Sequence, residues 1–354
     1  MNPSSEFYRK GRGAQQNTAN HFLKHRVEAE DGFADPEALL PNPKTQFFIE
    51  TPKKILSTFN SPDLPMGRSV NPYQGCEHGC IYCYARNSHE FWGFSAGLDF
   101  ESKIMVKPTA PKMLDELFNT PKWLPAVVEL SGNTDCYQPA ERRFRLTRGL
   151  LEVFVKYRNP VSMITKNTLI LRDLDLLTQL AERNLVHVYV SLTTLNEELR
   201  QAMEPRTVTA AGRLNVIRKL SEAGVPVGVM TAPIIPGLND HEIPKLLEAA
   251  AQAGALGAGY TVVRLNGAIA ELFEDWIRKA FPDRAEKVLA QIRDCHGGQL
   301  NDSRWGLRMM GEGPLADHIA QLHRLSRNKF MAGREMPKYD LTQFRRDGMQ
   351  FKLF

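Results

Sequence analysis

The chain has 354 residues, of which 42% are hydrophobic and 24% charged, and its formal net charge is +5. These proportions are typical of a globular protein and exclude a collagen-like, fully disordered or heptad-repeat chain. Five cysteines are too few for a secreted disulfide scaffold, and the first thirty residues lack the apolar stretch of a secretory signal, so we expect a cytoplasmic protein. Three prolines interrupt the longest apolar run (224–238), so we expect no membrane span.

Residues 1–60 are predicted to form a polar N-terminal extension. They are rich in turn formers, as in Gly11-Arg12-Gly13 and Pro41-Asn42-Pro43, and they show little periodicity. We expect this extension to lie over the neighbouring domain or to stay partly mobile.

Residues 61–300 are predicted to form the core, because apolar segments of strand length alternate there with segments of helical spacing. Near-continuous apolar strands followed by helices indicate a parallel sheet covered on both faces. Six β/α units favour the α/β class and a partial (β/α)6 TIM-type barrel. A doubly wound sheet is the alternative, but no Gly-x-Gly-x-x-Gly follows any strand. The predicted strands are 69–73, 126–130, 161–165, 186–191, 225–231 and 259–265, and the predicted helices are 111–119, 141–157, 173–183, 210–223, 240–253 and 268–281.

Residues 301–354 are predicted to form one amphipathic helix (313–325) and a basic C-terminal tail. From residue 324 to the end there are eight basic and three acidic residues, so the tail accounts for the whole net charge. Such an excess of positive charge affects which partners the protein binds rather than how it folds. It is either a solvated tail or a patch that attracts a polyanion.

Three of the five cysteines, Cys76, Cys80 and Cys83, lie within eight residues, directly after the first predicted strand. That is the carboxyl end of the strand, where barrel enzymes place their chemistry. Gly75 and Gly79 allow the loop to bend tightly, so that three thiolates can converge on one metal centre. The other two cysteines stand alone and are interpreted as small buried residues.

The number of protein ligands that the sequence offers indicates which metal centre the cysteines hold. A structural zinc site normally uses four protein ligands, and the sequence has no second cysteine pair; His78 as the fourth ligand would strain the loop. An iron–sulfur cubane held by three cysteines leaves one iron open, which is a reactive arrangement. The sequence favours the iron–sulfur cluster, and zinc is the rival.

The Cys-x-x-x-Cys-x-x-Cys spacing, with the aromatic Tyr82 before the third cysteine, resembles the radical S-adenosylmethionine (SAM) superfamily. The resemblance implies that Cys76, Cys80 and Cys83 hold a [4Fe–4S] cluster whose fourth iron binds SAM, with Tyr82 among the cofactor-binding residues. It also implies an external low-potential electron donor, and reductive cleavage of SAM to methionine and a 5′-deoxyadenosyl radical.

Five further segments resemble the spore photoproduct lyase-like subgroup, whose members are often labelled DNA repair photolyases. Each lies at or near the end of a predicted strand: 131–135, 165–167, 191–194, 203–207 and 231–233. The resemblance implies that Lys166 meets the SAM carboxylate, Ser191 the ribose and the Ala232 backbone the adenine, with Ser131 and Gly132 also beside SAM. Taken singly, such a lysine is usually a solvated charge and such a serine a helix cap.

One departure from the subgroup concerns the hydrogen donor. The lyase that gives the subgroup its name has a hydrogen-donating cysteine where this chain has Gly132, so photoproduct reversal by that route is in doubt. Cys136 is the candidate substitute, and a loop residue without a role is the alternative. The arginines that open the next predicted helix are interpreted either as phosphate contacts or as a solvated face: Arg142, Arg143, Arg145 and Arg148.

The last five residues resemble the short Gln-x-x-Leu-Phe peptides by which bacterial repair and replication proteins dock on the DNA sliding clamp. Gln350, Leu353 and Phe354 match that pattern. The alternative is that they pack on this protein's own surface.

The leading hypothesis is therefore a radical SAM enzyme that acts on damaged or modified DNA. The first alternative is a radical SAM enzyme that acts on a protein, peptide or small metabolite, because no aromatic-rich nucleic-acid platform is evident in the sequence. The second alternative is a non-catalytic, zinc-stabilised binding module.

Overall fold

A curved seven-stranded sheet forms the centre of the computed structural model, which describes residues 8–23, 44–63, 67–346 and 348. Six of its strands are parallel and follow chain order across the sheet, as in a (β/α) barrel; a short antiparallel strand lies beyond the first. Across the described residues the sheet stays open between its two edges, so it is a partial barrel and confirms the predicted α/β class. The strands are β1 Gln46–Ile49, β2 Leu56–Thr58, β3 Arg68–Val70, β4 Tyr73–Gln74, β5 Lys103–Val106, β6 Val128–Leu130, β7 Val161–Thr165, β8 Val186–Ser191, β9 Val227–Ile234 and β10 Ala258–Val262.

Helices cover the outer face of this sheet, whose order is β10-β9-β8-β7-β6-β3-β2. The alternation of side chains along a strand puts Val186, Val188 and Val190 of β8 into the main apolar core under the helices, and Ser191 on the opposite, inner face. The helices are α1 Leu98–Ser102, α2 Ala110–Asn119, α3 Glu141–Phe144, α4 Leu146–Tyr157, α5 Leu174–Ala181, α6 Glu197–Met203, α7 Ala210–Glu222, α8 Ile243–Gln252, α9 Ala268–Ala280, α10 Ala285–Asp294, α11 Leu307–Met310 and α12 Pro314–Phe330, and the 3-10 helices are Tyr84–Trp92, Thr168–Asp173, Asp240–Glu242, Pro282–Arg284 and Leu341–Gln343. Among the described helices, none combines the length and the apolar character that crossing a bilayer requires.

A second, three-stranded sheet flanks the cysteine loop. In it β5 pairs with β1 in parallel and with β4 in antiparallel orientation. Strand β1 lies in the predicted N-terminal extension, where little regular structure was expected. The extension therefore supplies β1 and β2, one strand to each sheet.

Two predicted elements are divided in the structure. The predicted strand 69–73 becomes β3 and β4 in different sheets, because Pro72 has no N–H to donate to a strand ladder and its carbonyl accepts from Lys107. The predicted helix 141–157 breaks at Arg145, whose φ is 54°, and the Glu141 carboxylate accepts from the Thr147 N–H just beyond the break at 3.0 Å.

The basic tail runs as a belt (residues 331–346) over the amino ends of the strands, at the opposite end of the sheet from the cysteine loop. The Tyr339 ring stacks on His187 at the start of β8, with ring centroids 3.9 Å apart. Arg334 donates to the Ala251 carbonyl at 2.7 Å, and Arg346 donates to the Thr120 carbonyl at 2.6 Å. Cations at helix carboxyl ends are favourable, so these arginines stabilise the fold rather than form a free polyanion patch. The residues predicted to bind the sliding clamp, Gln350, Leu353 and Phe354, lie outside the described residues.

Candidate active site

The cysteine loop lies at the carboxyl end of the strands, as the sequence predicted. Cys76 and Cys80 are each 6% exposed, and Cys83 is half-buried. The loop can be this tight because Gly75 and Gly79 both adopt positive φ. A Cβ atom at Gly79 would lie 2.8 Å from a carboxylate oxygen of Glu101, and one at Gly75 would lie 2.8 Å from a backbone carbonyl.

Two buried side chains hold the backbone of this loop. The Arg86 guanidinium donates to the Cys80 carbonyl at 2.9 Å and to the Gly79 carbonyl at 3.1 Å. The Gln138 side chain, from the loop after β6, donates to the Gly75 carbonyl at 3.0 Å and accepts from the Glu77 N–H at 3.1 Å. The positions of the cysteines are thus fixed by contacts from two separate segments.

The three thiols influence one another electrostatically. Burial raises the pKa of Cys76, and the neighbouring Asp135, Cys80 and Cys83 raise it further. Burial likewise raises the pKa of Cys80 to about 12, despite the opposing effect of Lys166. At neutral pH the Cys76 and Cys80 thiols are therefore protonated unless a cationic centre draws off their protons, as binding of an iron–sulfur cluster does. The donor set, three thiols on one short loop of which two are buried and one is half-buried, fits such a cluster.

His78 does not have the free ring nitrogen that a fourth zinc ligand needs. Its Nδ1 lies 3.3 Å from the Asp135 carboxylate, and its Nε2 lies 3.2 Å from the Asn167 amide. Within residues 8–23, 44–63 and 67–346, no three His, Cys, Asp or Glu side chains surround a single point as a zinc site requires. The cysteines of a cubane bind different iron atoms of one cluster, so their sulfurs are spaced more widely than the ligands of a single zinc ion.

A buried ionic network stands beside the loop and contains Lys166. Glu204 accepts from the Tyr82 hydroxyl and from the Arg213 guanidinium. Burial alone would raise the pKa of Glu204, but Arg213 and Lys166 outweigh it and lower the pKa to about 2. The Lys166 ammonium lies 5.9 Å from the centre of the Tyr82 ring. Burial lowers its pKa, but the neighbouring Cys80 and the Glu204 carboxylate raise it above its ordinary value, so Lys166 is a cation at neutral pH.

Arg213 links this network to the remaining residues predicted to surround SAM. Its guanidinium donates to the Ser191 carbonyl at 3.0 Å, and the Ser191 hydroxyl lies 3.4 Å from the Ala232 carbonyl. Lys166 is held by its backbone N–H, which donates to the Asp135 carboxylate at 2.8 Å. The structure thus brings Tyr82, Lys166, Ser191 and Ala232 to one side of the cysteine loop.

Ser131 and Gly132 follow β6 directly, and both the Ser131 hydroxyl and the space beside Gly132 are already occupied. The Ser131 hydroxyl donates to the Thr134 carbonyl at 2.7 Å and accepts from the Cys136 N–H at 2.9 Å. A Cβ atom at Gly132 would lie 2.8 Å from the Ser69 Cβ, and the Gly132 carbonyl accepts from the Tyr84 hydroxyl at 2.5 Å. Only backbone groups of this turn are therefore available to a ligand.

Cys136 lies in the main apolar core and is fully buried. Burial and the nearby Asp135 raise the pKa of its thiol, so it is a neutral side chain at physiological pH. Its surroundings are those of a core residue, and its role as a hydrogen donor stays a prediction. Among the arginines that follow, Arg148 pairs with Asp173 at 3.0 Å and with Asp175 at 2.9 Å, which makes it a structural residue.

Sequence reasoning missed the residues that support the site from a distance. Arg213 and Glu101 carry no motif of their own, and their partners are brought near only by the fold. Glu204 stood inside the segment 203–207 that the sequence singled out, and Arg86 follows the third cysteine by three residues, but their roles as buried ionic partners were not predicted.

The comparisons with known proteins agree with this geometry. The family model of the radical SAM superfamily matches residues 70–250. An uncharacterised protein of Mycobacterium tuberculosis is 37% identical over 226 residues, which are 63% of this chain and 66% of that protein. The match thus spans slightly less than two thirds of that relative. The radical SAM Nalpha-GlyT isomerase of Pseudomonas phage M6 is 25% identical over 198 residues, which are 55% of this chain and 38% of that protein.

Among solved structures, spore photoproduct lyase complexed with a dinucleoside spore photoproduct has a TM-score of 0.60. The sequences are 16% identical, and the match covers 81% of this chain and 80% of that one. A mutant of the same lyase with bound SAM and the dinucleoside gives a TM-score of 0.58. At this level of identity the likeness shows a shared fold.

Proposed function

Because the matching family model spans more than half of the chain, this chain belongs to the radical SAM superfamily, and we propose that it reductively cleaves SAM at a [4Fe–4S] cluster held by Cys76, Cys80 and Cys83. Membership of this family of enzymes implies both cofactors. The observation that carries the proposal is the set of three thiols on one tight loop at the carboxyl edge of the sheet, two of them buried and the third half-buried, with the Lys166 cation near Cys80 and Tyr82. In this proposal residues 61–300 are the catalytic core.

When bound, the cluster and SAM would supply a one-electron cleavage that yields a 5′-deoxyadenosyl radical, with the electron coming from an external low-potential donor. The chain's own residues then have four tasks. Lys166 offers a cation to the methionyl carboxylate, and its orientation is kept by Tyr82 and Asp135. Ser191 offers a hydroxyl to the ribose, the Ala232 backbone offers polar groups to the adenine, and the buried walls exclude water.

Anaerobic reconstitution tests this proposal directly. We expect a brown protein with about four irons per chain that forms 5′-deoxyadenosine after reduction. Replacing Lys166 with methionine should weaken SAM binding while iron content stays the same, since Lys166 is not a ligand of the cluster. A colourless, zinc-replete protein would instead support the non-catalytic binding module.

For the substrate, we propose damaged or modified nucleic acid, with DNA as the preferred form. We also propose that the protein acts in the cytoplasm. The support comes from the lyase of similar fold, whose structure holds a dinucleoside photoproduct, and from the surface beside β10. There the exposed Trp305 ring carries the Arg308 guanidinium 3.9 Å above it, and that guanidinium also pairs with the Asp63 carboxylate. Arg264, directly after β10, adds a second cation near Arg308 and Tyr84. An aromatic ring beside two arginines, one of which is paired with Asp63, is a combination suited to a base and a phosphate.

A protein, peptide or small metabolite is the alternative substrate, and DNA stimulation separates the two. If the substrate is DNA, lesion-containing oligonucleotides should raise the rate of 5′-deoxyadenosine formation, and the Trp305→Ala variant should lose that stimulation. The control is Trp92→Phe on the 3-10 helix after the cysteines, where an aromatic ring is kept. A rate that does not respond to any oligonucleotide favours the alternative.

We also propose, from the sequence resemblance alone, that the residues outside the described part at 350–354 bind the DNA sliding clamp. Deleting them should abolish binding to the purified clamp. Binding that persists after the deletion would refute this part of the proposal and leave the catalytic part intact.

A further inference from the structure

The N-terminal segment of residues 12–20, called the strap below, crosses the outside of the cysteine loop. Gly13 touches the loop so closely that a Cβ atom there would lie 1.8 Å from the Gly79 carbonyl oxygen. Ala14 is fully buried and packs in one apolar cluster with Cys80, Ile81 and Tyr82. The strap therefore shares its core with the cysteine loop rather than with the main barrel core.

A single buried carboxylate joins the strap to the loop. Glu101 is fully buried and accepts from the Ala14 N–H at 2.7 Å and from the Gly13 N–H at 3.3 Å. The same carboxylate accepts from Arg86 at 2.6 Å and lies 3.9 Å from the Arg12 guanidinium. One anion thus holds the strap's backbone and compensates two buried cations.

Arg86 extends this connection to the cysteines. Besides pairing with Glu101, its guanidinium donates to the carbonyls of Gly79 and Cys80. Movement of the strap would therefore be transmitted through Glu101 and Arg86 to the backbone of a cluster ligand. Further along, the strap is anchored by the Thr18 N–H, which donates to the Ser95 hydroxyl at 2.7 Å, and at Gly97, where a Cβ atom would lie 2.1 Å from the Gln16 carbonyl.

We propose that the strap is a cofactor-retaining cover, in which Gly13, Glu101 and Arg86 act as positioning residues that keep the cysteine loop closed against solvent. The inference rests on the proposed function for the identity of the cofactor. Groups that orient metal ligands commonly change metal affinity 10- to 100-fold when removed, and solvent exposure alters the potential of an iron–sulfur cluster. Because a buried charge joins the strap to the loop, the strap controls both the affinity for the metal and the potential of the cluster.

Two variants test this proposal. Gly13→Ala places a methyl group against the Gly79 carbonyl and should lift the strap, and Glu101→Gln keeps the side-chain shape but removes the charge. Gly257→Ala is the matched control for the first, because the nearest neighbour of its Cβ lies 4.0 Å away. Glu116→Gln on the exposed face of α2 is the control for the second.

The readouts are iron release to a chelator from the reconstituted, oxygen-free protein and the midpoint potential of its cluster. We expect both strap variants to release iron about ten-fold faster than wild type and to shift the potential, and both controls to match wild type. Folded strap variants with wild-type release rates and potentials would overturn the proposal. If Glu101→Gln does not fold, Gly13→Ala decides.

A second readout separates this proposal from the proposed function. In the iron-free protein, the rate at which a small alkylating reagent labels Cys80 reports solvent access directly. We expect faster labelling in both strap variants than in the controls. If wild type binds no cluster, the proposed function fails, and the labelling rates alone still decide whether the strap covers the loop.

Discussion

Glu204 is the carboxylate on which the charge balance beside the cysteine loop depends. It is fully buried, and it faces the buried Arg213 guanidinium, the Lys166 ammonium and the Tyr82 hydroxyl. Replacing it with glutamine removes one negative charge while retaining most of the side-chain volume. Two buried cations then lose their counter-charge, so we expect Glu204→Gln to lower the free energy of unfolding.

The size of the effect follows from the pKa of Glu204. The fold lowers that pKa from an ordinary 4.5 to about 2, which at about 1.4 kcal/mol per pH unit corresponds to roughly 3 kcal/mol of stability at neutral pH. Breaking a buried ion pair by removing one partner costs about 3–5 kcal/mol, which is the same range.

The direction of the Glu204 pKa shift determines how its contribution to stability depends on pH. Because the folded-state pKa lies below the unfolded one, this contribution is complete above about pH 4.5 and is lost as the pH falls towards 2. The difference in stability between wild type and Glu204→Gln should therefore be large at pH 7 and should shrink between pH 4.5 and pH 2.

Urea denaturation of the cluster-free protein at several pH values measures this difference. Glu197→Gln is the matched control, because Glu197 pairs with Arg200 at 2.7 Å on the same stretch of chain but is 42% exposed. An exposed pair of this kind contributes about 0–1 kcal/mol. If Glu204→Gln is as stable as the Glu197→Gln control at pH 7, the charge balance inferred here is wrong.

Three further predictions concern Lys166, the core residue Cys136 and His89, a buried residue of the 3-10 helix Tyr84–Trp92. Lys166→Met should raise the dissociation constant for SAM about ten-fold in calorimetric titrations of the cluster-loaded protein, whereas an unchanged constant would remove Lys166 from the SAM site. His89 is fully buried, and burial lowers its pKa to about 4, so the stability that its neutral ring contributes is complete above about pH 6.5 and is lost as the pH falls towards 4. His89→Phe should therefore flatten the pH dependence of the free energy of unfolding between pH 6.5 and pH 4. An unaltered pH dependence would contradict the lowered pKa of His89. Cys136→Ala should lower the free energy of unfolding by about 1 kcal/mol and leave iron content and SAM cleavage unchanged, and a loss of iron would show that it serves the cluster.

The sequence predicted the elements whose signal is local. Strands β7 and β8 lie where the apolar, β-branched runs placed them, and the carboxyl-end position of the cysteine loop followed from the same alternation. Helix 141–157 was predicted whole because its apolar spacing continues through the break. The break at Arg145 depends on the Glu141 carboxylate and its contacts with other elements, which spacing does not reveal.

The supporting residues of the site were beyond sequence reasoning for a physical reason. The strap reaches Glu101 across 87 residues of chain, and such long-range partners leave no periodic pattern. Arg334 and Arg346 show the same limit, since the charge count left both a solvated tail and a polyanion patch open, whereas the fold uses both guanidinium groups to bind helix-end carbonyls.

The iron content of cysteine variants tests the central claim most directly. Wild type, a variant with alanine at Cys76, Cys80 and Cys83, and a Cys295→Ala control should be reconstituted side by side without oxygen. The account predicts about four irons per chain and 5′-deoxyadenosine formation for wild type and for the control, and neither for the triple variant. A triple variant that retains its iron and still cleaves SAM would contradict it.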